Sequence, residues 1–191
     1  MPKAYTNRKG KTYYIRQRMT KTGKKSYVMT LKESEECVNR VPKGYEVHEI
    51  PASAQMVIRK KLPMEYDLKE LHLIKSVLKQ NKSIVDFKLD TRGKEIVIHA
   101  AEVKESSFLS QFGNFSGQEI KGLMTNYEAA MKLIKTGNES NEYAIQRYCY
   151  RGSVEDWITI GMSSDLKKML EKYTYHIGKE SYYELGYNFG E

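Results

Sequence analysis

The chain has 191 residues, of which 40% are hydrophobic, with four prolines and a formal net charge of +8. That is enough apolar material for one substantial domain or two small ones, and the lack of repeats and low-complexity tracts excludes a solenoid or a disordered chain. Apolar runs of only a few residues exclude a membrane-spanning helix, and the opening MPKAYTNRKGK lacks the apolar core of a signal peptide, so a cytoplasmic protein with no membrane partner is expected.

The charge is unevenly divided. Residues 1–61 hold 15 Lys/Arg against 5 Asp/Glu, whereas residues 62–191 hold 17 against 19. A basic N-terminal third points to a polyanionic partner, attracted through phosphate contacts and counterion release. The bland alternative is that these lysines solubilise an exposed sheet and blunt its edges.

Gly10 to Leu31, GKTYYIRQRMTKTGKKSYVMTL, reads as a β-hairpin. Thr12 to Met19 and Lys24 to Leu31 are rich in Tyr, Ile, Val and Thr, and Thr20-Lys21-Thr22-Gly23 is a polar turn with glycine where a positive φ is wanted. A four-residue loop places Arg18 opposite Lys25, Arg16 opposite Tyr27 and Tyr14 opposite Met29, giving one basic and aromatic face. Tyr13, Ile15, Val28 and Thr30 are then left to pack on a core. A one-residue slip would change the partners but keep Tyr14, Arg16 and Arg18 together.

Lys32 to Arg40 is polar and reads as a short helical turn before the Pro42 and Gly44 turn. Tyr45 to Ile50 and Gln55 to Lys61 read as a second hairpin across Pro51-Ala52-Ser53-Ala54, ending in Arg59-Lys60-Lys61. One curved four-stranded sheet is the expected arrangement of this third.

Pro63 starts a change of period. Met64, Leu68, Leu71, Ile74 and Leu78, widened by Leu73 and Val77, predict a helix over Met64 to Gln80, with Glu65 and Asp67 in the first turn and lysines in the last. Ser83 to Leu89 and Glu95 to Glu102 predict a third hairpin across Asp90-Thr91-Arg92-Gly93. Residues 103–122 read as irregular. Tyr127 to Ile134, Tyr143 to Tyr150 and Asp156 to Ile160 predict strands, and Ser163 or Ser164 offers a cap for a helix over Asp165 to Ile177, stopped by Gly178. A last turn runs through Tyr182 and Leu185. The expectation is an α+β fold: antiparallel hairpins in a basic β-rich region at 1–62, followed by a mixed region at 63–191 with two main helices and antiparallel strands.

YYIRQRMTKTGKKSYVMT, PKGYEVHEIP, VIRKKLP, RGSVEDWITIG and KYTYHIGKESYYEL occur in that order. In this the chain resembles a widespread set of uncharacterised prokaryotic proteins that carry similar segments at both ends. Leu68 to Met124 matches poorly, and Pro51-Ala52-Ser53-Ala54 stands where the resemblance implies a Pro-Asn-Gly-like turn. The resemblance implies a shared architecture and brings no activity with it.

Enzymatic signatures are sparse. Cys37 and Cys149 lie in no CxxC pair, and His48, His72, His99 and His176 lack metal-ligand spacing. There is no P-loop, no GxGxxG after a strand and no GxSxG. A nuclease-like arrangement, Asp86 or Asp90 with Glu102-Val103-Lys104, needs both carboxylates beside one metal. The expected hairpin puts Asp86 opposite Val97, about five positions from Glu102 at roughly 3.3 Å each, too far for one ion. A metal-dependent nuclease is therefore a minor alternative, and no catalytic residue, metal ligand or cofactor is assigned.

The leading expectation is a non-catalytic protein that binds DNA or RNA. Tyr14, Arg16, Arg18, Lys21, Lys24, Lys25 and Tyr27, widened by Arg59, Lys60 and Lys61, would carry the contact, the cations on phosphates and the tyrosines as stacking surfaces. The alternative is a protein-interaction or assembly module whose basic sheet binds an acidic protein. Fifteen tyrosines, nine methionines and the lone Trp157 supply material for such an interface, although Trp157 in its strand context reads first as core.

Overall fold

A computed structural model describes residues 2–101, 126–137, 142–151 and 154–186. They form an α+β protein of antiparallel sheets with two, three and five strands and two principal helices. Two compact units are distinguished, one of residues 2–61 and one of the described residues from 62 onward.

In the first unit, β1 (Ala4–Thr6), β2 (Thr12–Met19) and β3 (Lys25–Thr30) make an antiparallel sheet with β2 in the centre. The bend from β1 into β2 is built by Asn7, which is buried. Its Oδ1 accepts the N–H groups of Lys9 and Lys11 at 3.0 and 2.9 Å, and its Nδ2 donates to the Ala54 carbonyl at 2.6 Å. Buried polar atoms need such partners, because an unmade hydrogen bond costs about 1–3 kcal/mol. Ile15 is fully buried beneath the sheet.

Residues 36–38 run antiparallel to β2, with Gln17 N donating to Glu36 O and Val38 N to Ile15 O at 3.1 and 2.8 Å. They share one edge of β2 with β1, a strand that lacks the length to announce itself in the sequence. The expected four-stranded sheet is therefore two sheets. Among the described residues, β4 (Tyr45–Glu49) and β5 (Met56–Lys60) pair only with each other. β3 meets them through side chains, with Tyr27 edge-on to Tyr45 at 5.2 Å.

The β4–β5 turn is unusual in one respect: Ala54, fully buried, has φ +61°. That left-handed conformation is cheap for Gly or Asn and strained for alanine. It is held by Ala54 N donating to Ile50 O at 2.8 Å. Arg8 braces the same turn, donating to Glu49 at 2.6 Å and to the Pro51 carbonyl.

In the second unit, α1 (Leu68–Gln80) precedes β6 (Phe87–Arg92) and β7 (Glu95–Ala101). β8 (Tyr127–Lys135), β9 (Tyr143–Arg151), β10 (Val154–Ser163) and α2 (Leu166–Thr174) follow, then a single 3-10 turn at Glu180–Tyr182. The five strands lie in chain order, an antiparallel meander. Ile96, Ile98, Met131, Leu133, Ile145 and Ile160 form its inner face, packed with Ile74, Val77 and Leu78 of α1 and Leu166, Met169 and Leu170 of α2. Each such side chain contributes about 1.5–3 kcal/mol by leaving water, so this layer is the core of the unit.

Both helices start later than the periodicity predicts. α1 begins after Asp67, whose carboxylate accepts Glu70 N at 2.8 Å while the Glu70 carboxylate accepts Asp67 N at 2.7 Å. That reciprocal cap satisfies two of the N–H groups a helix start leaves open, and it leaves Met64 and Leu68 exposed instead of in the apolar stripe. α2 is capped by Asp165 instead of Ser163 or Ser164, and ends at Thr174.

The β6–β7 hairpin turns at Gly93-Lys94, with Gly93 at φ +60°, so Arg92 pairs with Glu95 and Asp90 with Val97. The expected turn lay earlier in the chain and put Asp86 opposite Val97. The main-chain carbonyl of Asp86 instead accepts the Ala101 N–H at 2.8 Å.

Candidate nucleic-acid interface

β2 and β3 alternate their side chains, so the register decides which of the predicted contact residues share a face. The loop closes with Gly23 N on Thr20 O at 2.9 Å and Thr20 N on Lys24 O at 2.8 Å, with Gly23 at φ +74°. This is a three-residue turn ending in a glycine bulge. It shifts the pairing by one from the four-residue loop expected: Met19 faces Lys25, Arg18 faces Ser26, Gln17 faces Tyr27, Arg16 faces Val28 and Tyr14 faces Thr30.

Tyr14, Arg16 and Arg18 do remain on one face. Lys25 and Tyr27 move to the other, with Ile15, Gln17 and Met19, while Val28 and Thr30 leave the expected core-facing set. The single basic and aromatic face is thus replaced by a ribbon whose cations lie on both faces, with Lys21 and Lys24 in the loop.

Every residue from Arg18 to Lys25 is exposed. Among the described residues, Arg18, Lys21, Lys24 and Lys25 have no carboxylate partner. Arg16 is different, since its Nε lies 2.5 Å from Glu36 Oε2 in an exposed ion pair. Tyr27 is half-buried against Tyr45 and offers less of its ring than an unpacked tyrosine would. Arg59 is 2.8 Å from Glu46 across the β4–β5 pair, and only Lys60 and Lys61 of that run are exposed and without an ion pair among the described residues.

A second polar cluster, absent from the sequence reading, lies where α1 meets β8 and β9. Glu70 accepts Lys135 Nζ at 3.0 Å, the Asp67 N–H, and the Tyr143 hydroxyl. Burial pushes the Glu70 carboxyl up, but hydrogen bonds from Tyr143, the Asp67 N–H and Lys135 outweigh it and hold the group below its ordinary value. Burial, with Glu70 close by, raises the Tyr143 hydroxyl and keeps it protonated as a donor. Lys135 also donates to the Glu65 carbonyl at 3.2 Å and stands 5.6 and 5.7 Å from the Tyr66 and Tyr143 ring centres. With its acceptor sites filled, Glu70 fastens the helix start to the sheet. The signal for it in sequence was Asp67-Leu68-Lys69-Glu70, a capping-box pattern.

Trp157 stands outside the inner core. It occupies the sheet face away from the helices, 5.0 Å from Tyr148 and 4.5 Å from Lys132 Nζ. Asp86 accepts the Phe87 N–H and the Tyr127 hydroxyl, while Glu102 and Lys104 of the nuclease-like pattern lie outside the described residues. Among the described residues, no three His, Cys, Asp or Glu side chains are grouped to hold a metal, and no helix is long and apolar enough to cross a membrane. Comparison of the chain with protein-family models, curated proteins and solved structures yields no match. The functional reading rests on the site itself.

Proposed function

We propose that this is a non-catalytic nucleic-acid-binding protein whose contact element is the tip of the β2–β3 ribbon. The observation that carries the reading is the run Arg18 to Lys25, exposed throughout and holding four cations without carboxylate partners among the described residues. A cation already matched by a carboxylate gains little from a phosphate; an unmatched one releases a condensed counterion from the nucleic acid when it binds. Arg16 and Arg59 are matched and play a lesser part.

The test is fluorescence anisotropy of labelled nucleic acid titrated with the full chain at several salt concentrations. Lys21→Ala/Lys24→Ala should bind more weakly and show a salt slope shallower by about 1.8, at about 0.9 per phosphate contact on B-form DNA. A parent that fails to bind any nucleic acid at low salt would remove the reading. Met19, 60% exposed at the same tip, favours a second one, an acidic protein partner that buries the methionine against an apolar patch. Met19→Ser would weaken that contact and leave phosphate binding unchanged.

A further inference from the structure

Resting on that reading, we infer that the nucleic acid is duplex DNA, and that the β2–β3 tip enters its major groove with phosphate contacts on both walls. The register carries the argument. Arg18 pairs with Ser26 and points to one face, Met19 pairs with Lys25 so that Lys25 points to the other, and Lys21 and Lys24 sit in the loop between. A surface made to follow one strand would gather its cations on one side. Here a single row of phosphates would meet Arg18 or Lys25 but not both.

The dimensions agree. Packed sheets lie about 10 Å apart, so one ribbon with side chains on both faces is about that thick. The major groove of B-form DNA is about 12 Å wide and admits a two-stranded ribbon. The corresponding groove of A-form RNA is narrow and deep, closed to side chains. Exposure sets how far the ribbon can enter. β1 flanks β2 only as far as Tyr14, and residues 36–38 only as far as Gln17, so the tip beyond them has strands on neither side among the described residues.

Stacking chemistry points the same way. Binding of single strands usually relies on aromatic rings presented to the bases. Tyr27, the aromatic residue nearest the tip on β3, packs edge-on against Tyr45, and Arg18 to Lys25 contains no aromatic residue. The tip is equipped for phosphates and a groove, and poorly equipped for unstacked bases.

The experiment compares 20-base-pair duplex DNA, the same duplex in RNA and the single DNA strand, each bound by the full chain across a salt series. Duplex DNA should bind tightest, with a slope near −3.6 for four contacts, or about 150-fold weaker binding between 50 and 200 mM salt. Arg18→Ala and Lys25→Ala, both exposed and on opposite faces, should each make the slope shallower by about 0.9, and together by about 1.8. Far-UV circular dichroism verifies that the variants remain folded. Equal or tighter binding to the single strand or the RNA duplex, or a slope that responds to only one of the two substitutions, would overturn the groove placement while leaving nucleic-acid binding intact. Failure of all three ligands to bind at low salt would overturn both.

Discussion

Replacing Glu70 by alanine removes one group from three elements at once. The helix loses the Glu70 half of its capping box, where loss of a cap costs about 0.5–2 kcal/mol. The Tyr143 hydroxyl, on a residue 4% exposed, loses its acceptor, at about 1–3 kcal/mol. Lys135 loses its carboxylate, but the two side chains keep 16% and 13% exposure, so water can take over part of the charge and the cost stays below the roughly 3–5 kcal/mol of a fully buried pair.

A total of about 3 kcal/mol follows from these terms. Trp157, the only tryptophan, lies in the same unit and reports its unfolding by fluorescence in urea. With a slope of about 2 kcal/mol/M, the midpoint should fall by about 1.5 M. Glu70→Gln keeps an oxygen for Tyr143 and should lose about half as much. The Glu70 carboxyl is held below its ordinary value in the folded protein. Its charged form therefore contributes stability that is full above the unfolded pKa and is lost as pH falls through the folded one. The difference between parent and Glu70→Gln should accordingly shrink toward acid. A loss below 1 kcal/mol for Glu70→Ala at neutral pH would refute the view that this cluster fastens α1 to the sheet.

Two further substitutions probe the packing. Gly161 lies at a bulge in β10, where an added Cβ would stand 2.6 Å from ring carbons of Tyr173; Gly161→Ala should cost about 1–3 kcal/mol by overpacking, and a neutral result in thermal melts would show that the ring moves freely. The Tyr182 hydroxyl, pushed up to about 12 by burial, donates its one proton to the Ala130 carbonyl at 2.5 Å, with the Tyr148 carbonyl a second, longer acceptor at 3.3 Å. Tyr182→Phe should cost about 1 kcal/mol in urea unfolding, and an unchanged midpoint would remove the hydroxyl from the docking of the last turn.

The contact element shows where sequence reading reaches its limit. That Thr12 to Met19 is a strand, and that Tyr14, Arg16 and Arg18 share a face, follow from β-branched and aromatic enrichment and a period of two. Both are properties of neighbouring residues. Whether Lys25 and Tyr27 join them depended on one backbone conformation. Gly23 marked the turn, but a polar tetrad containing glycine is compatible with loops of different length, and each length sends alternate side chains of β3 to opposite faces. The β6–β7 hairpin repeats the lesson, since Gly93 ends one candidate turn and begins the observed one.

The sequence by itself determined the class of the fold, nearly all of the long elements, the apolar faces of both helices apart from Met64 and Leu68, and the concentration of basic charge in the first 61 residues. These rest on local propensity, periodicity and composition, which do not depend on what lies across the molecule. Only the tertiary structure decided strand register, the division of the N-terminal strands into two sheets, the pairing of Arg16 and Arg59 with carboxylates, and the meeting of Glu70 with Lys135 and Tyr143. Those groups are separated by 65 and 73 positions. No local pattern joins residues so far apart; contact between them follows from burial of the apolar faces, which brings the helix start and the strands together.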